Sequence, residues 1–284
     1  MSGSVITNFT WEQAVLQLIA DPDQRDFVRE NYFDDPIEAA AERFRLSAEW
    51  QSVREVLGSP VGAALDLGAG NGIVSYALAI DGWKTTALEP DSSNVVGTGA
   101  IRRLAEKTGA EIEMLSGFGE AIPAANDSFD LVVARQVLHH AQNLGEFCKE
   151  IARVLKPGGR VFAYRDHVIS GPNQLQQFLD GHPLHNLYGG ENAYTEGTYR
   201  NALVAAGLSV NRQWRQFRAP FNYAPKCAED ISLEVMSRLL PTPLARKLAP
   251  VLGSRALFPL VGLALSTIDR RPGRLVGFYA EKRF

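Results

Sequence analysis

Across residues 10–57 the apolar positions recur three and four apart, in WEQAVLQLIA, DQRDFVRENYF and PIEAAAERFRLSAEWQSVREVLG. That spacing predicts amphipathic helices, with Pro36 at a helix start. Past Gly58, Ser59 and Pro60 the period changes. AALDLG, KTTALEP, AEIEMLSG, FDLVVARQ and GGRVFAYRD read as five short buried strands with helical stretches between them. Strands alternating with helices predict an α/β fold with a parallel sheet and helices on both faces. TEGTYRNALVAAG then predicts a helix with a glycine stop, LSVNRQWRQF a sixth strand and RLVGFYAEKRF a seventh.

Between the last two strands, residues 218–272 read mostly as helix, punctuated by Pro241, Pro243, Pro250 and Pro259. A plain hairpin needs only a few residues there. The expected organisation is a helical cap over 1–58, an α/β core over 59–217 plus 273–284, and a helical insertion over 218–272. The insertion is apolar enough to need a partner: a lidded active site, a lipophilic substrate, a second subunit or a membrane surface. Its longest apolar run, ALFPLVGLALSTI, is broken by Pro259 and falls short of the roughly 18 to 20 residues that span a bilayer.

Composition narrows the classes. The 284 residues are 45% hydrophobic and 21% charged, ordinary for a globular chain, and a net charge of -3 offers no global attraction to nucleic acid or anionic lipid. Cys148 and Cys227 lie far apart without paired spacing, which argues against a disulfide framework and suits a reducing compartment. The amino-terminal stretch contains Glu12 and Asp21 and lacks a basic start followed by an apolar core, so a cytoplasmic location is expected.

The first strand runs into Gly68, Gly70 and Gly72. Glycines at alternate positions allow a tight turn and a close backbone approach to a nucleotide-sized ligand at a helix start. A dinucleotide fingerprint is G-x-G-x-x-G, whereas here the register is G-x-G-x-G and position 73 is Ile. Asp66, inside the strand, suits a cation such as a sulfonium better than a pyrophosphate. LDLGAGNG, ALEPD, FDLVVARQVLHH and VLKPGGRVF, in that order and spacing, resemble the class I S-adenosylmethionine-dependent methyltransferases of the small-molecule, type 11 kind, over roughly residues 60–210 and the final strand.

That resemblance implies S-adenosyl-L-methionine as cofactor, S-adenosyl-L-homocysteine as product, and a Rossmann-like seven-stranded sheet of order 3-2-1-4-5-7-6 with the last strand antiparallel. It implies that Asp66, Gly68, Ala69, Gly70, Asn71 and Gly72 pack against the methionine part, and that Glu89, followed by Pro90, accepts both ribose hydroxyls. An acid at position 89 also suits the ribose of NAD. Phe118 stands where the family has an acidic residue. Two readings stand: Phe118 stacks on adenine with the Gly119 amide on a ring nitrogen, or it is a core aromatic. Arg135 follows the fourth strand, and Tyr32 either closes over the cofactor or packs between helices. Arg43 and Arg45 are either site residues or solvated charges.

Methyl transfer from a sulfonium needs alignment and, for many acceptors, removal of a proton. The residues after the fourth strand lack the Asn/Asp-Pro-Pro-aromatic run of amino-methylating enzymes. Catechol-type magnesium sites use aspartates after the fourth and fifth strands; only Asp166 is available, so no metal is expected. His139 and His140 fall at the carboxyl edge of the sheet, where an imidazole can act as base. A run similar to the phosphobase methyltransferases places His140 on their catalytic histidine, while Gln136 replaces their aspartate. The alternative is that both histidines are helix-start or packing residues. The segment after the fifth strand carries Asp166, His167, His182, His185, Tyr188, Glu191, Asn192 and Tyr194, and His167, His182, His185, Tyr188, Asn192 and Tyr194 are the candidates for contact with a small-molecule acceptor.

The expected activity is methyl transfer to an oxygen or nitrogen of a small metabolite, by a monomer or homodimer without nucleic acid, with peripheral membrane contact through 218–272 one option. The rivals are an NAD(P)-dependent oxidoreductase, opposed by the glycine register; a non-catalytic cofactor-binding scaffold or sensor; and RNA methylation, for which no basic tail is visible.

Overall fold

The structure is a computed structural model and describes residues 9–283. The first eight residues, on which part of the leader argument rests, lie outside the described residues. The chain begins with α1 (Trp11–Ala20), α2 (Arg25–Glu30), α3 (Ile37–Leu46) and α4 (Ala48–Leu57). Thr10 caps α1 in a capping box with Gln13, and the Ser47 side chain accepts the Trp50 amide at the start of α4.

The sheet follows: β1 (Ala63–Leu67), α5 (Ile73–Asp81), β2 (Lys84–Leu88), α6 (Thr98–Thr108), β3 (Ile112–Leu115), β4 (Phe129–Arg135), α7 (Leu144–Val154) and β5 (Leu155–Val168). Next come α8 (Leu175–Asp180), α9 (Pro183–Tyr188), α10 (Glu196–Ala205) and β6 (Leu208–Arg215). The insertion holds α11 (Pro220–Tyr223), α12 (Ala228–Ser237), α13 (Thr242–Leu252) and α14 (Phe258–Ile268), and β7 (Arg274–Lys282) closes the chain.

Among the described residues the strands form one seven-stranded sheet of order β3-β2-β1-β4-β5-β7-β6. The pairs from β3 to β5 are parallel, and β7 runs antiparallel to both β5 and β6. Successive strand residues face opposite sides, so neighbours in sequence feed two cores. Leu65, Leu67 and Val132 pack with Phe147, Cys148 and Ile151 of α7 and with Tyr199 and Leu203 of α10. Ala64, Leu131, Val133, Phe162 and Tyr164 pack on the other face with Ala40, Ala41 and Phe44 of α3, Trp50 of α4 and Ala77 and Leu78 of α5. The amino-terminal helices α3 and α4 are therefore part of the hydrophobic core.

Strand order reverses between β1 and β4, and open α/β sheets bind ligands outside the carboxyl ends at that point. There the structure corrects the sequence reading of the fifth strand. β5 runs on to Val168 because β7 pairs with its end, Asp166 opposite Val276 and His167 opposite Leu275. These two side chains are thus fixed on the sheet. The expected strand stopped at Asp166, with His167 in the loop beyond it.

The insertion packs on itself and on the edge of the sheet. A Cβ on Gly262 of α14 would lie 2.2 Å from the Phe217 carbonyl oxygen, and Ser266 accepts the Phe217 amide at 3.1 Å. Leu239, Leu260 and Ile268 are 66–72% exposed. Among the described residues no helix is long and apolar enough to cross a membrane.

Candidate functional site

A cleft of about 740 Å³ opens at the carboxyl edge of β1, β2, β4 and β5. The volume suits a nucleoside-sized ligand together with a small partner. Its floor is the glycine turn. Gly68, Gly70 and Gly72 have φ of +70°, +55° and +85°, a region that residues with a Cβ avoid. A Cβ on Gly68 would press on Val137 at 2.7 Å and one on Gly72 on Ile101 at 3.0 Å, whereas at Gly70 it would meet nothing within 4 Å. Gly70 thus leaves open space where a ligand can approach the backbone.

Glu89, beyond the end of β2, is fixed over this turn. Its Oε2 accepts the Gly70 amide at 2.8 Å and its Oε1 accepts the Asp91 amide at 2.9 Å. Each oxygen keeps a second lone pair for a hydroxyl donor. Burial pushes the carboxyl up to about 7, against the pull of the two amides. Asp66, fully buried, accepts the Ser75 hydroxyl at 2.5 Å and is likewise pushed by burial to about 7.

Most of the expected cofactor residues line the cleft: Asp66, Gly68, Ala69, Gly70 and Asn71 on the floor, with Glu89, Pro90, Phe118, Gly119 and Arg135 around it. Phe118 is 64% exposed at the rim, which removes the core-aromatic reading. Gly119 is required by packing, since a Cβ there would lie 2.0 Å from the ring of Phe147. We expect Gly119→Ala to cost about 1–3 kcal/mol in urea unfolding, the usual penalty for overpacking; a cost near zero would show that the Phe147 ring yields freely.

Two expected residues sit elsewhere. Gly72 stands behind the turn against Ile101 and caps the start of α5. Tyr32 is 7% exposed, edge-on to Phe44 and under the Arg43 and Arg135 guanidiniums, because this tyrosine finds more apolar contact between α2 and α3 than in the cleft. Its carbonyl, not its ring, serves the site by accepting a hydrogen bond from the Asn71 side-chain Nδ2 at 2.7 Å. Phe27, Glu30, Asn31 and Phe33, its neighbours, form the wall instead. Arg43 pairs with Asp34 and Arg45 with Glu42.

Glu49 of α4 went unnoticed in the sequence. It is 2% exposed and receives Arg135 Nε at 2.6 Å, with Arg165 Nη1 at 3.3 Å from its other oxygen. Burial opposes its ionisation, but the charges of Arg135 and Arg165 hold it below its ordinary value. Gln136 and Arg165 have φ of +57° and +62°, strained for residues with side chains, where β4 ends and within β5. Two arginines against one carboxylate leave an excess positive charge at the wall.

The roof comes from helices of the expected amino-terminal cap and from α9, and the insertion takes no part in it. Trp11 meets Phe33 and Tyr188 with ring centroids 5.9 and 4.9 Å apart, and Leu184 packs with Val15 and Leu18 of α1. The covering elements are thus α1, α2 and α9. Among the described residues none in 218–270 lines the cleft, because the insertion is anchored to the 216–218 turn; only Arg271 and the residues leading into β7 reach it.

All five histidines of the chain fall between 139 and 185, and four of them, His139, His140, His167 and His182, line this cleft around Glu191. His139 Nδ1 donates to Asp166 Oδ1 at 2.9 Å, and its Nε2 lies 3.3 Å from Glu191 Oε2. Burial would lower this imidazole, but the bond to Asp166 and the Glu191 carboxylate raise it to about 9. His139 is therefore mostly cationic at neutral pH, which corrects its expected role as a base. His140 Nδ1 faces the Gly190 carbonyl at 3.2 Å, so that nitrogen donates and Nε2 keeps the lone pair. Burial and the positive His139 hold His140 below its ordinary value.

Of the expected acceptor contacts, His167, His182 and Tyr188 line the cleft. Asn192, Tyr194 and His185 do not. The Asn192 side chain accepts the Ala193 amide, and Tyr194 donates to the Ala141 carbonyl and bridges to Val168, so both are spent on holding the 189–195 segment. His185, three residues beyond His182 on the short α9, is not among the residues that line the cleft.

Residues 65–163 match a family model described as a methyltransferase domain. This segment is a class I, S-adenosylmethionine-dependent methyltransferase domain. The domain is similar to the ubiquinone biosynthesis O-methyltransferase of Methylobacterium sp. (strain 4-46), 33% identical over 99 residues, which are 35% of this chain and 39% of that relative's length. Two solved structures share its fold. Phosphoethanolamine N-methyltransferase 2 of Haemonchus contortus, in complex with S-adenosyl-L-methionine, has TM-score 0.56 and 17% identity over 92% of this chain and 60% of that one. The 4+2 cyclase SpnF has TM-score 0.54 and 18% identity over 87% and 82%. At such identities the likeness shows the fold, which can host more than one chemistry.

Proposed function

We propose that the protein transfers a methyl group from S-adenosyl-L-methionine to a hydroxyl of a small molecule. The observation that carries this reading is one cleft lined by both a ribose-ready carboxylate, Glu89, and an imidazole, His140, whose Nε2 keeps its lone pair 4.0 Å from Glu191 Oε2. The name of the O-methyltransferase relative supports oxygen as the acceptor atom. The residues present fit the cofactor: the open space at Gly70 admits it, Glu89 has lone pairs left for two ribose hydroxyls, and Phe118 offers an exposed face to the adenine. The excess positive charge of Arg135 and Arg165 suits the methionine carboxylate. When bound, the cofactor supplies an electrophilic methyl carbon on a sulfonium leaving group.

The protein's own part is then positioning and proton removal. The Gly190 carbonyl fixes the His140 tautomer, and Nε2 takes the hydroxyl proton of the acceptor. The roof of Trp11, Leu184 and Tyr188 excludes water. The direct test incubates the protein and cofactor with phenolic and aliphatic hydroxy acceptors and measures S-adenosyl-L-homocysteine released over many turnovers. Binding of S-adenosyl-L-homocysteine with no turnover on any acceptor would favour a non-catalytic binder, and absence of binding would overturn the cofactor assignment.

Glu89 gives a prediction of opposite sign for affinity and stability. Only the ionised carboxylate accepts from both hydroxyls, so the affinity for S-adenosyl-L-homocysteine should fall as pH drops through about 7. A carboxyl raised above its unfolded value binds its proton more tightly in the folded state. The ligand-free protein therefore gains stability from Glu89 and Asp66 as pH falls through about 7 toward their ordinary values of 4.5 and 3.8. Glu89→Gln should weaken binding by about 1.5–3 kcal/mol, roughly ten- to over a hundredfold in Kd, and lose most of the pH dependence. Calorimetric titration across the pH range checks this; an unchanged Kd in the variant removes Glu89 from the site.

A further inference from the structure

We propose that His139, His167 and Glu191 form a binding site for one divalent transition ion of the zinc type, with its open side on the cleft. The donor atoms of these three residues all lie within 4.8 Å of one another. His139 Nε2 and Glu191 Oε2 stand 3.3 Å apart, and two tetrahedral ligands at bond lengths of about 2.0–2.2 Å are separated by about 3.3–3.6 Å. Two imidazoles and one carboxylate are a donor set that suits first-row divalent ions, and three protein ligands leave a position for an exogenous oxygen.

Two further observations point to a ligand. Each imidazole has its other nitrogen anchored: His139 Nδ1 donates to Asp166, and His167 Nδ1 donates to the Gly273 carbonyl at 3.0 Å. Both acceptors are obligate, so in the neutral imidazole the lone pair falls on Nε2, the arrangement that orients metal-binding histidines, and at His139 an incoming ion displaces the Nε2 proton. The second is an unmet need. Glu191 is 8% exposed, and its Oε2 has His139 Nε2 at 3.3 Å and His140 Nε2 at 4.0 Å but no well-formed hydrogen bond among the described residues; the buried His182 Nδ1, 3.8 Å from Glu191 Oε1, has none either. Buried polar atoms rarely stay unpaired, and an ion held by Glu191 Oε2 meets that need beside His182 while its fourth position stays open on the cleft.

The sequence hid the site because its ligands come from three separated places: the turn after β4, the end of β5 and the segment before α10. The magnesium pattern asks for aspartates, and these histidines have no local metal-ligand spacing. Bound here, the ion holds the acceptor oxygen and eases its deprotonation beside His140; this role, unlike the binding itself, rests on the methyl-transfer reading.

The test titrates chelator-free full-length protein with Zn²⁺ by calorimetry and with Co²⁺ by visible absorption. One equivalent of Zn²⁺ should bind, and Co²⁺ should give the absorption of a low-coordinate nitrogen and oxygen site. Glu191→Gln and His167→Gln should each weaken Zn²⁺ at least about tenfold, and Asp166→Asn, which only orients His139, by about 10- to 100-fold. His185→Gln should bind as the parent does. No saturable binding, or unchanged affinity in both ligand variants, overturns the site. If either ligand variant fails to melt cooperatively, Asp166→Asn carries the comparison. S-adenosyl-L-homocysteine titrated into the same sample separates the two readings. Nucleoside binding without Zn²⁺ overturns the metal site alone, and Zn²⁺ without nucleoside binding overturns the methyl-transfer reading while the site stands.

Discussion

Replacing Glu49 by alanine is expected to destabilise the fold by about 3–5 kcal/mol, the usual cost of stranding a buried charge. Glu49 is 2% exposed and is the carboxylate that both Arg135 and Arg165 approach. Without it two guanidiniums share a wall of Tyr32, Phe44 and Tyr164, and only Arg165 has substitute acceptors, in the carbonyls of Phe221 and Ala224. Arg135 then lacks a counter-charge. The double variant Glu49→Leu, Arg135→Met should regain much of the loss, because removing both members of a buried pair avoids the unpaired charge. Urea unfolding of the three proteins checks both statements; a single-variant cost below about 1 kcal/mol would mean that solvent reaches the arginines. α4 also carries Trp50 and Val53 in the core, so the ion pair welds the amino-terminal helices to the carboxyl edge of the sheet.

Replacing His140 by alanine is expected to lower kcat by about 10²–10⁴-fold, the range for loss of a positioned general base. His140 lies across the cleft from the nucleoside cradle and accepts no load from the core, unlike the buried His139. The affinity for S-adenosyl-L-homocysteine and the melting temperature should therefore change little. An equal loss in affinity and rate would assign His140 to binding, and an unchanged kcat would remove it from the reaction. His139→Ala should behave differently, since it breaks contacts with both Asp166 and Glu191 and weakens the fold of the site.

Much of the frame was legible. The strand sequences, the glycine register and Glu89 are local signals: the alternation of AALDLG, a turn that needs positive φ, and an acid one residue beyond a strand. Such features depend on neighbours in sequence, so a linear reading captures them. Glu49 and Arg165 escaped notice because an acid in an amphipathic helix and an arginine at a strand end look like solvated charges until their burial is known. Tyr32 stayed open between two readings for the converse reason: the tyrosine is near the site in sequence order, but only packing against Phe44 decides which way its ring turns.

The sequence by itself therefore determined the α/β alternation, the glycine floor and the carboxylate proposed to read a ribose, because each is written within a few residues. Tertiary structure alone decided the rest of the cleft. It brought His139, His167 and Glu191 within reach of one another, extended β5 through β7 pairing so that Asp166 and His167 became rigid, and made α1, α2 and α9 the roof. Those outcomes depend on which buried surfaces find each other across the sheet, and that choice is set by long-range packing.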